Sequence, residues 1–180
     1  MRIIAGTHKG RRLRIPKNLP VRPTTDRAKE ALFSILNHKV NFESIRVLDL
    51  YSGTGSIGFE FCSRGCPNVI AVDADHKCSG FIAKTAEEFG LSIQSIQSTV
   101  QSYLNKCDTN FDIIFADPPY EGGQKEFKTI KEGIQARKIL RPGGWLIFEH
   151  TEKLDFNSDE AFIEARKYGS SVFSFLQFTA

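Results

Sequence analysis

The sequence predicts an α/β protein: a mostly parallel, seven-stranded sheet with an antiparallel edge strand, preceded by a basic N-terminal β-hairpin or arm. Three observations predict it. From Arg46 onward, short apolar runs alternate with helical patterns, the signature of a parallel sheet covered on both faces. The first of those runs leads straight into a glycine-rich turn that opens a helix. The last two runs flank Tyr168-Gly169 with no helix between them, so they must pair antiparallel. With 180 residues, 41% apolar and 25% charged, one core of ordinary composition is expected, and disordered, collagenous and disulfide-stapled classes are excluded.

Arg2-Ile3-Ile4-Ala5-Gly6 and Arg12-Leu13-Arg14-Ile15 alternate on either side of Gly10 and read as two short paired segments. Pro16, Pro20 and Pro23 keep the following chain extended. Thr24 or Thr25 caps a helix whose stripe is Ala28, Ala31, Leu32, Ile35 and Leu36 and which runs to about Asn37. Val47 to Leu50 is the first buried strand, followed by Ser52-Gly53-Thr54-Gly55-Ser56-Ile57-Gly58 and a helix to about Ser63. Val69 to Val72 is the second strand and ends at Asp73; residues 75–89 form a helix. Ile93 to Gln97 and Phe111 to Ala116 are the third and fourth strands. A helix over 124–139 precedes a turn at Arg141-Pro142-Gly143-Gly144 and a fifth strand, Trp145 to Glu149. Ile163 to Lys167 and Val172 to Phe178 close the sheet. Residues 1–23 are expected to form the arm and 24–180 the domain on which it packs.

Charge is unevenly spread. Residues 1–30 hold nine basic side chains against two acidic ones, a local charge of +7, so the other 150 residues carry −4 of the net +3. A basic arm on a mildly acidic body is the footprint of a polyanion partner, although a solvated terminus reads the same way. Cys62, Cys66, Cys78 and Cys107 form no CxxC pair and no zinc-like spacing, so buried free thiols and no metal are expected. No apolar run approaches the length of a membrane span and Met1 opens no signal-peptide pattern, so the expected location is cytoplasmic. No heptad calls for more than a monomer.

Gly53-x-Gly55-x-x-Gly58 matches the dinucleotide fingerprint, with Asp73 near the ribose-binding position. Two features turn the reading away from nicotinamide enzymes. Asp49 sits inside the strand before the turn, which suits a cofactor carrying a cation. Asp117-Pro118-Pro119-Tyr120 ends the fourth strand and faces the same crevice, where open sheets bind ligands. Holding an exocyclic amine needs acceptors for its two hydrogens, which the Asp117 carboxylate and the Pro118 carbonyl supply. Pro118 and Pro119 stiffen the segment, and Tyr120 offers a stacking face for a base.

Together these residues resemble the S-adenosylmethionine-dependent amino methyltransferases, of Rossmann-like class I fold. With Arg2-Ile3-Ile4-Ala5-Gly6, Lys9-Gly10-Arg11, Arg22-Pro23-Thr24-Thr25-Asp26-Arg27 and Glu30-Ala31-Leu32-Phe33, nearly the whole chain resembles the RsmD family, which methylates the N2 amine of a guanine in small-subunit (16S) ribosomal RNA. The resemblance implies S-adenosylmethionine as cofactor, S-adenosylhomocysteine as product, and the RNA or the assembling small subunit as partner. It implies catalytic roles for Asp117, Pro118, Pro119 and Tyr120. Cofactor contacts fall to Asp49, Tyr51, Ser52, Gly53, Thr54, Gly55, Asp73 on the ribose, Ala74 by the adenine, and Asp117. Where the family has an acid or amide for the adenine amine, this sequence has Thr99 followed by Val100. Arg2, Lys9, Arg11, Arg12, Arg14, Arg22, Thr24, Thr25 and Arg27 are the expected RNA contacts. The rival readings are a DNA adenine or cytosine N-methyltransferase, for which the chain leaves little room for a recognition domain, and a non-catalytic RNA-binding factor on the same fold.

Overall fold

A computed structural model describes residues 1–17, 19 and 24–178, with the side chain of Tyr120 outside that set. In chain order the elements are α1 (Asp26–Leu36), β1 (Arg46–Leu50), α2 (Ser56–Ser63), β2 (Asn68–Asp73), α3 (His76–Phe89), β3 (Ile93–Gln97), α4 (Val100–Lys106), β4 (Phe111–Ala116), α5 (Gly123–Arg137), β5 (Leu140–His150), β6 (Phe162–Tyr168) and β7 (Ser171–Leu176). They build one seven-stranded sheet in the order β3-β2-β1-β4-β5-β7-β6. Strands β1 to β5 run parallel. β7 is inserted antiparallel between β5 and β6, so β6 takes the outer edge. The order reverses between β1 and β4, and the crevice of such a sheet opens beyond the strand ends at that point.

Side chains alternate across the sheet. Val47, Phe115, Ile147, Phe173 and Phe175 face the core under α1, α2 and α3, whereas Leu48, Ile114, Ala116, Phe148 and Leu176 face the core under α4 and α5. The nearly continuous burial of β1 and β4 is what a parallel sheet covered on both faces demands. In α1 the buried stripe is Ala28, Lys29, Leu32, Phe33 and Leu36, with Thr25 as N-cap accepting from the Ala28 amide at 3.2 Å.

The structure adds one element and corrects one. Residues 100–106, to which the sequence pattern assigned no element, form α4: Thr99 caps it and Val100 and Leu104 bury one side, a pattern too short to register as a helical period. The segment Arg141–Gly144, read as a turn before the fifth strand, lies within β5 as an irregularity. Leu140 pairs with Phe111 and Trp145 with Ile113, so 141–144 stand opposite Asp112 alone.

The arm is a loose hairpin. Its only ladder contact among the described residues is the antiparallel bridge Arg2 to Arg12. The Ile3 amide donates to the Arg11 carbonyl at 3.0 Å, and the Gly10 amide to the Ile3 carbonyl at 2.9 Å. Ile3 and Leu13 are buried in the α1–α2–α3 core. Polar contacts complete the docking. The Glu60 carboxylate, fully buried in α2, accepts from the Ile4 amide at 2.8 Å, the Ala5 amide at 3.0 Å and Arg64 Nε at 3.0 Å. The ammonium of Lys29 lies 3.7 Å from Glu60 and donates to the Arg2 carbonyl at 2.6 Å. Burial pushes the Lys29 ammonium down from its ordinary range, and Glu60 and Asp26 partly restore it. Gly6, at φ +82°, passes so close that a Cβ would sit 1.7 Å from the Ser63 carbonyl.

Removing one member of a buried ion pair strands the other. Glu60→Ala is therefore expected to cost about 3–5 kcal/mol, read as a lowered urea midpoint at unchanged m-value. A loss under about 1 kcal/mol, the range of exposed pairs, would show that the pair does not hold the arm.

Candidate active site

The site grows from the carboxyl ends of β1, β2, β4 and β5. After β1 the chain enters Tyr51 at φ +56°, a left-handed conformation unusual for a side-chain-bearing residue. The Tyr51 hydroxyl donates to the Glu126 carboxylate in the first turn of α5, tying the turn after β1 to the helix that follows Asp117. The Ser52 amide donates to the Val72 carbonyl at 3.1 Å, and the Gly53 amide to Asp73 Oδ2 at 2.8 Å. Gly55, at φ +73°, is the N-cap of α2, and no side chain caps that helix. A Cβ at Gly55 would lie 2.9 Å from both Ile82 and Phe59, so α3 can approach only a glycine there. The open amides at the start of α2 face the crevice and favour an anion.

Gly58 explains the third glycine of the fingerprint by an internal contact. Its amide donates to Asp49 Oδ2 at 3.1 Å, and a Cβ would lie 2.6 Å from Ile93 and 3.3 Å from Asp49. Asp49 is buried beneath the turn, and burial raises its carboxyl to about 8, with Asp73 and Glu149 adding to the rise and the Gly58 amide opposing it. The Ser52 hydroxyl is buried without a hydrogen-bond partner. An orphaned hydroxyl in a glycine-rich turn, next to uncapped helix amides, fits a polar ligand seated on that turn.

Asp117 follows β4, and its amide reaches the Leu50 carbonyl at 3.4 Å, so the Asp-Pro-Pro segment is joined to the end of β1. Burial, then the charges of Glu149 and Asp49, push Asp117 up to about 8. Pro118 is buried and Pro119 exposed, and Tyr120 opens a short 3-10 turn, Tyr120–Gly122, with its side chain outside the described residues. At the end of β2, Asp73 also accepts from the Asp75 amide at 2.9 Å, and Ala74 beside it is exposed. Thr54 is buried and its hydroxyl contacts Met1 Sδ at 3.3 Å, so the start of the arm touches the turn. The Thr99 hydroxyl accepts from the Ser102 amide at 3.2 Å as the cap of α4, and the Val100 side chain lies in the core. Any polar contact from these two is left to the Thr99 side chain's free valence and to backbone.

Most of the expected RNA contacts are exposed. Lys9, Arg12, Arg14 and Arg27 are exposed. Arg11 lies 4.8 Å over the Phe89 ring, and Arg2 pairs with Asp26 at 3.2 Å, both leaving charge at the surface. Arg22 lies outside the described residues. The two threonines divide their tasks: Thr25 caps α1, while the Thr24 hydroxyl crosses to Glu149 on β5 at 3.0 Å. Glu149 was missed by sequence reasoning. A lone acid at the end of a buried strand was its only signal. The four cysteines are free and buried, and among the described residues no cluster has the makings of a metal site. No helix among them is long and apolar enough to cross a membrane.

A sheet of this order, with a glycine turn after β1 and an acid-proline segment after β4, is that of a class I methyltransferase. The Thermus thermophilus 16S rRNA N2 methyltransferase RsmC, a structure in complex with AdoMet and guanosine, superposes with TM-score 0.67 at 23% identity, over 86% of this chain and 43% of that one. The chain belongs to the RsmD family: the model described as conserved hypothetical protein 95 matches residues 1–177. The chain is 31% identical over 150 residues to ribosomal RNA small subunit methyltransferase D of Escherichia coli, covering 83% of this chain and 71% of that protein. It is 32% identical over 160 residues to YlbH of Bacillus subtilis, covering 86% and 85%.

A raised carboxyl makes the folded protein hold a proton that the unfolded chain has lost. Between the unfolded value of about 4 and the folded value of about 8, the native state binds more protons, so stability falls as pH rises across that window. Asp49→Asn is expected to flatten the fall, which thermal unfolding at pH 5 and pH 8 would measure. An equally steep fall in the variant would place the buried proton elsewhere.

Proposed function

We propose that the protein transfers a methyl group from S-adenosylmethionine to the N2 amine of a guanine in small-subunit ribosomal RNA, in the naked RNA or the assembling subunit. The observation that carries the reading is Asp117: a half-buried acid just past the end of β4, hydrogen-bonded through its amide to β1 and followed by two prolines. The names and shared length of the relatives support the substrate class. Under this reading residues 1–23 are the RNA-holding arm and 24–180 the catalytic domain.

The orphaned Ser52 hydroxyl, the uncapped start of α2 and the Asp73 carboxylate fit the cofactor's polar ends. Asp73 holds the ribose hydroxyls, Ser52, Gly53, Thr54 and Gly55 line its path, and Tyr51, Ala74, Thr99 and Val100 flank it. Asp49 supports the turn from beneath through Gly58. When bound, the cofactor supplies an electrophilic methyl group on a sulfonium sulfur. A guanine amine is a poor nucleophile because its lone pair is delocalised into the ring. The Asp117 carboxylate and the Pro118 carbonyl accept its hydrogens, fix the nitrogen and favour a tetrahedral geometry. Alignment of this kind contributes about 7–11 kcal/mol to a bimolecular step. As the N–C bond forms and the C–S bond breaks with its electrons to sulfur, one amine proton is lost. Asp117 is the group in contact with it. Once ionised, a carboxyl raised to about 8 is a stronger base than an ordinary carboxylate and can take that proton. The base must leave its stack to reach this depth, and Tyr120 is assigned the stacking role.

Transfer of labelled methyl should be measured side by side on small ribosomal subunits, naked ribosomal RNA and duplex DNA. Label recovered as N2-methylguanine in RNA is the expected result; label in DNA alone would overturn the reading. Asp117→Ala is expected to abolish transfer while leaving S-adenosylhomocysteine affinity within about twofold. Asp73→Ala should instead weaken that affinity by about tenfold or more, as for a lost charge-assisted hydrogen bond. Replacing Arg12 and Arg14 together by alanine should reduce the salt dependence of RNA binding by about 1.4, or 0.7 per phosphate contact on a single strand. An unchanged slope would remove these two arginines from the interface.

A further inference from the structure

Glu149 belongs to none of the motifs above, yet the sheet brings it to the same crevice. Ala116, the last residue of β4, pairs with Phe148 in the parallel ladder of β4 and β5, so Asp117, just past β4, falls beside Glu149, which β5 still holds in the sheet opposite Phe173 of β7. Neighbouring strands are about 4.8 Å apart. Both side chains emerge on the face that carries Phe115, Ile147 and, on β1, Asp49. Glu149 is 3% exposed. Each of its carboxylate oxygens accepts one hydroxyl: Oε2 from Thr24 at 3.0 Å, Oε1 from Ser171 at the start of β7 at 2.7 Å. Thr24 immediately precedes the cap of α1 and follows the segment that leads from the arm. One acid therefore joins the arm's exit, the antiparallel β7 and the flank of Asp117.

We propose that Glu149 is a positioning residue for the amine-holding acid: it stands beside Asp117 on the next strand and joins it to Thr24, so that the placement of the Thr24 hydroxyl is felt at Asp117. The inference rests on the role given to Asp117 above. Two carboxyls held side by side in a buried site resist ionising together and share a proton. Hydroxyl donors stabilise the charged form, so Thr24 and Ser171 favour charge on Glu149 and leave the shared proton on Asp117. When Thr24 is drawn away, Glu149 takes the proton and Asp117 is freed to accept the amine hydrogens. Among the described residues, the ionisable groups bearing on Asp117 are Glu149 from β5 and Asp49 from β1. Glu149 itself faces Asp117, and its two hydrogen-bond partners, Thr24 before α1 and Ser171 on β7, are neutral hydroxyls.

The test is a carbon-13 NMR titration of the Asp117 carboxyl in the full-length protein, for wild type, Glu149→Gln, Thr24→Val and the double variant. Glu149→Gln is expected to move the Asp117 midpoint down by about one pH unit, since it deletes a neighbouring charge. Thr24→Val should move it the same way by less, and should add nothing in the Glu149→Gln background. Ser171→Ala, which removes one hydroxyl and keeps the acid, should repeat the Thr24→Val result and serves if Glu149→Gln does not fold. In transfer assays the acid limb of kcat should follow the same shifts, whereas a purely structural role would lower thermal stability and leave the limb in place. An Asp117 midpoint unmoved by Glu149→Gln, or a Thr24→Val shift that persists in its absence, would overturn the proposal. The titration needs no RNA, so a wild-type protein inactive on every nucleic acid would refute the substrate assignment and leave the coupling measurable.

Discussion

Helix α2 is asked to do two things in eight residues, and the buried carboxylate of Glu60 is what makes them one. Its first turn opens from Gly55 at the crevice, with no capping side chain at Gly55 and the Gly58 amide held by Asp49. Its last turn carries Glu60 and Ser63, which accept from the backbone amides of the arm at Ile4, Ala5, Thr7 and His8. A two-residue bridge cannot hold a basic hairpin against its own charge repulsion. An anion inside the core, compensated by Lys29 and Arg64, can. The arm is thus fixed to the same helix that shapes the ligand turn. Met1 reaches Thr54 because of it.

At the other end of that economy lies a group of acids that the sheet compels to share space. Asp49 on β1, Asp117 just past β4 and Glu149 on β5 gather at the carboxyl ends of three adjacent strands. Each is raised chiefly by burial. Native proteins tolerate such crowding where a bound cation or a proton donor relieves it. A cationic cofactor and an amine with two hydrogens are ligands of that kind. The cost in stability at alkaline pH and the suitability for amine chemistry therefore have the same physical origin.

Much of this was legible because the signals were local. The period of the apolar runs marks parallel strands, and the glycine spacing marks the turn after β1. The tetrapeptide from Asp117 to Tyr120 marks the end of β4. What stayed hidden depends on partners distant in sequence. A seven-residue helix at 100–106 shows no full period, and the bulge at 141–144 exists only against Asp112. Nothing near Glu60 announces that it will bind the arm 55 residues upstream. Thr24 and Thr25 are equivalent as letters; only the fold assigns the first to Glu149 and the second to the helix cap. Even the glycine fingerprint conceals a distinction, since Gly58 is required by Asp49 and Ile93 rather than by a ligand.

The tie between Tyr51 and Glu126 carries the same logic to the opposite side of the crevice. Tyr51 holds a left-handed backbone that costs of order 1–3 kcal/mol for a residue of its kind. Its hydroxyl is bonded to the first turn of α5. That bond spans the chain from the ligand turn to the helix behind Tyr120, so the two motifs cannot separate without breaking it. Burial and the adjoining Glu126 carboxylate both hold the phenol neutral, which keeps it a donor throughout the physiological range. Strain at Tyr51 is therefore tolerable for the reason that arm docking is: a buried or half-buried acid on one element accepts donors from another. Glu60 joins the arm to α2, Glu126 joins the turn after β1 to α5, and Glu149 joins Thr24 to β5. Glu126 and Glu149 thereby hold the segments on either side of Asp117, while Glu60 holds the arm to the helix whose first turn opens at the same crevice.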